Sequence, residues 1–318
     1  MRSPSKAEEG WASAVAIGSV AERIARLENA RGILHSVARA LGSADAHVAR
    51  RPSSVFSDYA RDAAAAFGDA EAADEVSIVL DALIEGIKIV DDIQDEEPVC
   101  LATEIGEERA LAAARAALAY ALDLGVVLPL DDDAWCAAVA AIGRGIRETA
   151  LGQQLERTAT ADFESFWNVV DRKTPPLVAT ALELGALAAG ATPARAAALT
   201  RLAIPLGRLL QIGDDCNDAL GENATDWRTP HLNLLMLFSL CGPNGPELAT
   251  LLRRETLHDA QLWLLRDGAL SYAIHAQKIT LDALAATLDS LALPNPAPFR
   301  AAMERQREEA EALLGRMV

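Results

Sequence analysis

The sequence predicts an all-α protein, and three observations predict it. Ala, Leu, Glu and Arg dominate the 318 residues. Apolar residues recur three and four apart, and alternating β-branched segments are nearly absent. Short Gly/Pro/Asp clusters punctuate the chain at 42–45, 68–74, 128–133, 190–193, 220–230, 241–246 and 293–298. The stretches between them suit helices of about three to seven turns. Hydrophobic residues make up 51% of the chain and aromatics only 4%, so a full-sized core is expected to be aliphatic and Ala-rich. No linker, low-complexity tail or short repeat interrupts the pattern, and residues 1–318 read as one domain.

Charge excludes several classes of partner. Acids outnumber bases 46 to 29, for a net charge of −17. Nucleic-acid binding rests on Lys and Arg neutralising phosphates, so no nucleic-acid partner is expected. An anionic membrane surface is disfavoured for the same reason. The longest apolar run, Leu234–Cys241, is too short for a transmembrane segment. The first ten residues, MRSPSKAEEG, lack a signal-peptide apolar core. Four cysteines (Cys100, Cys136, Cys216, Cys241) are scattered without a CxxC, which reads as reduced thiols and no zinc site. The expectation is a soluble, cytoplasmic protein.

Along the chain, the first segment that carries chemistry ends in Asp91-Asp92-Ile93-Gln94-Asp95. Leu80, Ile84 and Ile87 form an apolar stripe whose continuation at helical spacing is Asp91, then Asp95. Lys88 stands one turn before Asp92 and reads as its salt-bridge partner, or that of Glu85. Next comes Gly152-Gln153 with Glu156, where Gln153 follows Ile146 and Ala150. Lys173 then continues the stripe Phe166, Val170 and precedes Leu177, which points it inward. The chain has four lysines, and an inward one needs an anion: a diphosphate, or a buried Asp or Glu. The last such segment is Asp214-Asp215-Cys216-Asn217-Asp218, approached through Leu206 and Leu210.

Carboxylates four apart on one helix face repel each other, and buried unpaired charge is costly. Two acid pairs that extend apolar stripes therefore make sense around a cation. Magnesium suits them, because it takes a few hard carboxylate oxygens and leaves positions for water and phosphate. Acidic helix ends on a solvated surface are the plainer alternative. No loop has EF-hand spacing, so calcium is the weaker reading.

On these motifs the sequence resembles the trans-isoprenyl diphosphate synthase (polyprenyl synthetase) superfamily, over roughly residues 45–240. Gly152-Gln153 with Glu156 looks like that family's Gly-Gln helix. Arg172-Lys173-Thr174, followed by Leu184-Gly185-Ala186, looks like its Lys-Thr helix. Gln211-Ile212-Gly213-Asp214-Asp215 looks like its approach to the second Asp-rich motif. The resemblance implies a helical bundle around a deep central cavity, in a homodimer, that ionises an allylic prenyl diphosphate. It implies Mg2+, as three ions with bound diphosphate. Asp91, Asp95 and Asp214 would be the main metal ligands, with Asp92, Asp215 and Asp218 assisting. Lys173, Thr174, Gln153, Gln211, Arg51 and Arg228 would contact substrate.

The departures from the family pattern bear on the reaction. Where chain-elongating members carry Gly-Gly-Lys-x-x-Arg-Pro, this chain has Ala46-His47-Val48-Ala49-Arg50-Arg51-Pro52, with Val48 at the Lys position. After the first motif the family's Arg-Arg-Gly is replaced by Glu96-Glu97-Pro98-Val99-Cys100. After the second, Asp226-Trp227-Arg228-Thr229-Pro230 stands in for a longer loop with two lysines. The allylic site reads as intact and the isopentenyl diphosphate site as weakened. The first expectation is a prenyltransferase that uses isopentenyl diphosphate or another acceptor. The second is a class I terpene synthase with no acceptor, and the third a non-catalytic regulatory subunit. At the family's cavity-floor positions stand Gly86 and Ile87, neither of them aromatic.

Overall fold

The computed structural model describes residues 54–96, 100–126, 128–221, 232–253 and 257–315. Among them there are helices and no strand. In chain order the helices are α1 (Val55–Ala66), α2 (Ala73–Gln94), α3 (Leu101–Ile105), α4 (Glu107–Val126) and α5 (Asp132–Glu156). There follow α6 (Phe163–Lys173), α7 (Pro175–Ala188), α8 (Pro193–Leu199), α9 (Ala203–Leu220) and α10 (Leu234–Cys241). The last are α11 (Gly245–Arg253), α12 (Leu257–Asp267), α13 (Ala269–Ser290) and α14 (Ala297–Gly315). The expected breaks at 68–74, 128–133, 190–193, 241–246 and 293–298 coincide with the ends of these helices, while 42–45 and 222–230 lie outside the described residues. Further breaks carry weaker signals, among them Gly106 at φ +90°, the Thr158–Asp162 turns, the Thr174-Pro175 junction, and Gly268 at φ +86°.

The described helices group into two compact units interleaved along the chain. One comprises 75–139 with Ser54; the other comprises 55–74 and 140–315. In the first, Ile89 of α2 packs with Ala110, Ala113 and Ala114 of α4, flanked by Leu101 and Ile105 of α3. Small alanines let these backbones approach closely. The α2 helix stops at Glu96, a non-glycine residue in the left-handed region at φ +54°.

In the second unit α7 is buried almost throughout and packs against α1, α6, α8 and α9. Proline at its start has no N–H to leave unsatisfied there. The apolar run of α10 serves a core and not a membrane: Leu234, Leu235, Met236 and Leu237 are all fully buried. Each such side chain contributes roughly 2 kcal/mol of burial. Asn233 caps α10 by accepting from the N–H groups of Leu235 and Met236. Few as the aromatics are, several gather here: Phe163 and Phe238 both contact Tyr272, and Phe166 meets Trp167 edge-on. Among the described residues no helix is long and apolar enough to cross a membrane.

Candidate active site

The first acidic motif closes α2. The Asp95 N–H donates to the Asp91 carbonyl at 2.9 Å, so the two carboxylates stand one helical turn apart. Asp91 is half-buried and Asp95 exposed. Lys88 pairs with Asp92, as the spacing predicts. Gly86 lies against α4, where a methyl group would fall 2.8 Å from Leu118 Cγ.

The second motif lies in the last turns of α9 and is split by burial. Asp214 is exposed, Asp218 half-buried and Asp215 fully buried. One Asp215 oxygen accepts from Gln211 Nε2 at 2.7 Å and the other from the Leu234 N–H at 2.8 Å. Its carbonyl also accepts from Asn233 Nδ2 at 2.9 Å. Asp215 thus ties α9 to the start of α10, and Gln211 is engaged in holding it. Burial, then the Asp215 charge, pushes the Cys216 thiol up to about 12, so it stays protonated.

The apolar phase differs from the sequence reading here. Beyond Leu206, the line Leu210, Asp214, Asp218 is half-buried or exposed. Leu209, Ile212 and Asp215 are buried instead, the last against the start of α10. Gln153 is buried as expected, in line with Ile142 and Thr149, whereas Ala150 is exposed.

Lys173 ends α6 and is largely buried, in line with Phe166, Val170 and Leu177. Its ammonium donates to both Glu156 oxygens, at 2.9 and 3.2 Å. Of the two anions open to it, the protein supplies a carboxylate. Gly152 allows this meeting: a Cβ there would lie 2.4 Å from the Arg172 carbonyl oxygen and 2.8 Å from the Lys173 nitrogen. Thr149 Oγ1 also donates to the Lys173 carbonyl, at 3.3 Å. Thr174 sits at the junction of α6 and α7 and makes no side-chain cap bond.

Two contributors carried no motif. Tyr59 of α1 is buried, and burial, followed by the Asp62, Asp214 and Asp58 charges, holds its phenol well above the usual range. It is a protonated hydroxyl within the field of Asp214. The second is Arg208, which donates to both oxygens of Asp171, each at 2.7 Å. Neither residue is legible from spacing, because each partner is remote in sequence. Arg51 and Arg228 lie outside the described residues.

Hard carboxylate oxygens one turn apart, as in Asp91 with Asp95 and Asp214 with Asp218, suit a divalent cation of the magnesium type. A largely buried ammonium suits an anion, and Glu156 is the one Lys173 meets here. A family model described as polyprenyl synthetase matches residues 53–230. A nonaprenyl diphosphate synthase of Mycobacterium tuberculosis is 31% identical over 138 residues. That match takes in 39% of this chain and 41% of the relative, less than half of its length. A geranylgeranyl pyrophosphate synthase from Corynebacterium glutamicum, complexed with calcium and isoprenyl diphosphate, is 25% identical with a TM-score of 0.67. The similarity covers 92% of this chain and 99% of that one. A polyprenyl synthase from Caulobacter crescentus, also complexed with calcium and isoprenyl diphosphate, has a TM-score of 0.68 at 22% identity. It covers 92% of this chain and 98% of that one, and shares the all-α fold.

Proposed function

The chain belongs to the polyprenyl synthetase family, and from that premise we propose that it is a Mg2+-dependent prenyltransferase acting on an allylic prenyl diphosphate. The observation that carries the reading is the pair of acidic motifs, which close α2 and α9 with carboxylates one helical turn apart. Lys173 adds a cation at the end of α6, paired with Glu156 at 2.9 Å, which a diphosphate would share. The relative from C. glutamicum was captured with a divalent cation and an isoprenyl diphosphate, which supports the same pairing of ligands here.

Asp91 and Asp95, with Asp92 assisting, and Asp214 with Asp218 would hold Mg2+. Asp215 is left out of the set, because its oxygens are engaged within the fold. Bound Mg2+ neutralises the diphosphate and makes it a better leaving group. Lys173 binds a diphosphate oxygen and keeps the group oriented. The C1–O bond then breaks, with its electron pair leaving on the diphosphate. The π electrons of an acceptor capture the allylic cation, and the acceptor loses a proton. Charge-assisted contacts are worth about 1.5–3 kcal/mol each, so a pocket without the family's usual basic residues grips a second diphosphate weakly. The acceptor is therefore isopentenyl diphosphate held loosely, or an acceptor without a diphosphate.

Product analysis tests this. Purified protein is incubated with Mg2+ and C10, C15 or C20 allylic diphosphates, with and without isopentenyl diphosphate. Mg2+-dependent diphosphate release is expected. Efficient elongation would show the second site to be strong. Hydrocarbon or alcohol from the allylic substrate alone would replace transfer with cyclisation or lysis. No release under any condition would sink the enzymatic reading.

A further inference from the structure

Arg208 joins two helices that the proposed chemistry uses. It lies on α9, six residues before Asp214. Its guanidinium makes a two-pronged pair with Asp171 of α6, Nε to Oδ1 and Nη2 to Oδ2, each at 2.7 Å. The same group stacks 4.9 Å over the ring of Trp167, one turn earlier on α6. One side chain thus grips two points on α6, and the nearer, Asp171, stands two positions before Lys173. The adjoining residue supplies an independent contact. A Cβ at Gly207 would fall 2.6 Å from Pro175 Cγ and 2.9 Å from Pro175 N. Positions 207 and 208 of α9 are therefore pressed against 171 and 175, on either side of Lys173-Thr174.

We propose that Arg208 is a positioning residue that fixes Lys173 relative to the second acidic motif, so that the ammonium and a divalent cation held at Asp214 would meet one diphosphate. The inference rests on the reading of Lys173 as a diphosphate ligand. Arg is suited to the task. Its fork fits a carboxylate with two bonds, and its flat face stacks on an indole. Lys offers neither the fork nor the plane, so Arg208→Lys keeps the charge and loses the geometry. Arg208 donates its polar hydrogens to Asp171 and acts through the backbone of α6.

The test measures inorganic pyrophosphate binding by calorimetry with Mg2+ present, and steady-state release from an allylic diphosphate. The variants are Arg208→Lys, Arg208→Ala, Asp171→Asn and Lys173→Ala, with each clamp change also made in the Lys173→Ala background. Small misplacements of a catalytic group are costly, so each single clamp variant should lower kcat/KM by about tenfold or more. Pyrophosphate affinity should fall in parallel, and Arg208→Lys should fare little better than Arg208→Ala. In the Lys173→Ala background the clamp changes should add almost nothing. Should Arg208→Ala unfold the protein, Arg208→Lys and Asp171→Asn carry the same comparison. Normal binding in the clamp variants, with Lys173→Ala impaired, would overturn the clamp and spare the function. Additive losses would make Arg208 merely structural and also overturn it. Normal binding in Lys173→Ala would remove the premise, and the clamp with it.

Discussion

Asp214 is exposed while Asp215, its neighbour, is fully buried, so the same substitution at each separates two jobs. Asp214→Ala removes a candidate metal ligand that carries little of the fold. It should lower turnover by about a hundredfold or more, on the scale of losing one strong electrostatic contact to the reacting group, while the melting temperature stays near that of the parent. Asp215→Ala strips two buried donors, Gln211 Nε2 and the Leu234 N–H, of their acceptor. Bonds to a charged group are worth about 1.5–3 kcal/mol each, so the loss should show as a melting temperature lower by about 5–10 °C. A thermal melt beside a turnover assay on both variants checks the contrast. Equal melts with equal turnovers would refute it. A second residue gives a pH signature. Burial raises Asp62 of α1 from 3.8 to about 6, against the opposing pull of Arg305 and with help from Asp58. The fold favours the protonated carboxyl, so its contribution to stability is full below about pH 4 and is lost as the pH climbs through 6. Asp62→Asn should therefore stabilise by up to about 2 kcal/mol at pH 8, after discounting for partial exposure, and by almost nothing at pH 4. Urea melts at the two pH values read the difference.

At the level of the helices, Gly152 shows how a short motif fixes a crossing. Any side chain there meets the Arg172 carbonyl at 2.4 Å, a backbone atom with no rotamer to yield. Gly152→Ala should cost about 1–3 kcal/mol by overpacking and should push α6 away from α5. Since Lys173 and Glu156 meet beside that crossing, pyrophosphate binding should weaken together with stability. Calorimetry and melts on this one variant would show both, and an unaltered melt would mean that the helices part without cost. The helices themselves were largely legible in the sequence, because their ends coincide with Gly/Pro/Asp clusters and their faces with the apolar period. Gly190 at φ +79° is one such end. Gly268 is equally left-handed, but Asp267-Gly268 is a two-residue signal inside a long helical stretch, and the sequence reading passes over it. The pattern of motif and spacing also singled out both acidic motifs and Lys173. It could not place Arg208 against Asp171, 37 residues away, nor Tyr59 in the field of Asp214, because such meetings are set by packing. Nor could it tell Asp214 from Asp215, because the start of α10 covers one and not the other.

On the scale of the whole molecule, the net charge of −17 sets a test that must separate binding from screening. A chain this acidic repels itself, and any added salt eases that repulsion. A rise in melting temperature on adding Mg2+ is therefore expected whether or not a site exists. The discriminating comparison holds ionic strength constant with NaCl and asks what Mg2+ and pyrophosphate do together. A ligand that binds only the folded state stabilises it by RT ln(1 + [L]/Kd), about 2.7 kcal/mol at a hundred times Kd. For a chain of this size that is a rise of about 5 °C. The rise should need both components, because carboxylates alone repel pyrophosphate and Lys173 alone cannot balance it. Chelating the metal should abolish it. In Asp91→Ala and in Asp214→Ala it should shrink, whereas a change at an exposed acid elsewhere, such as Asp289→Asn, should leave it whole. Equal rises with NaCl and with Mg2+ plus pyrophosphate would reduce the acidic motifs to solvated helix ends. A rise confined to the metal–pyrophosphate pair ties them to the diphosphate chemistry of the family.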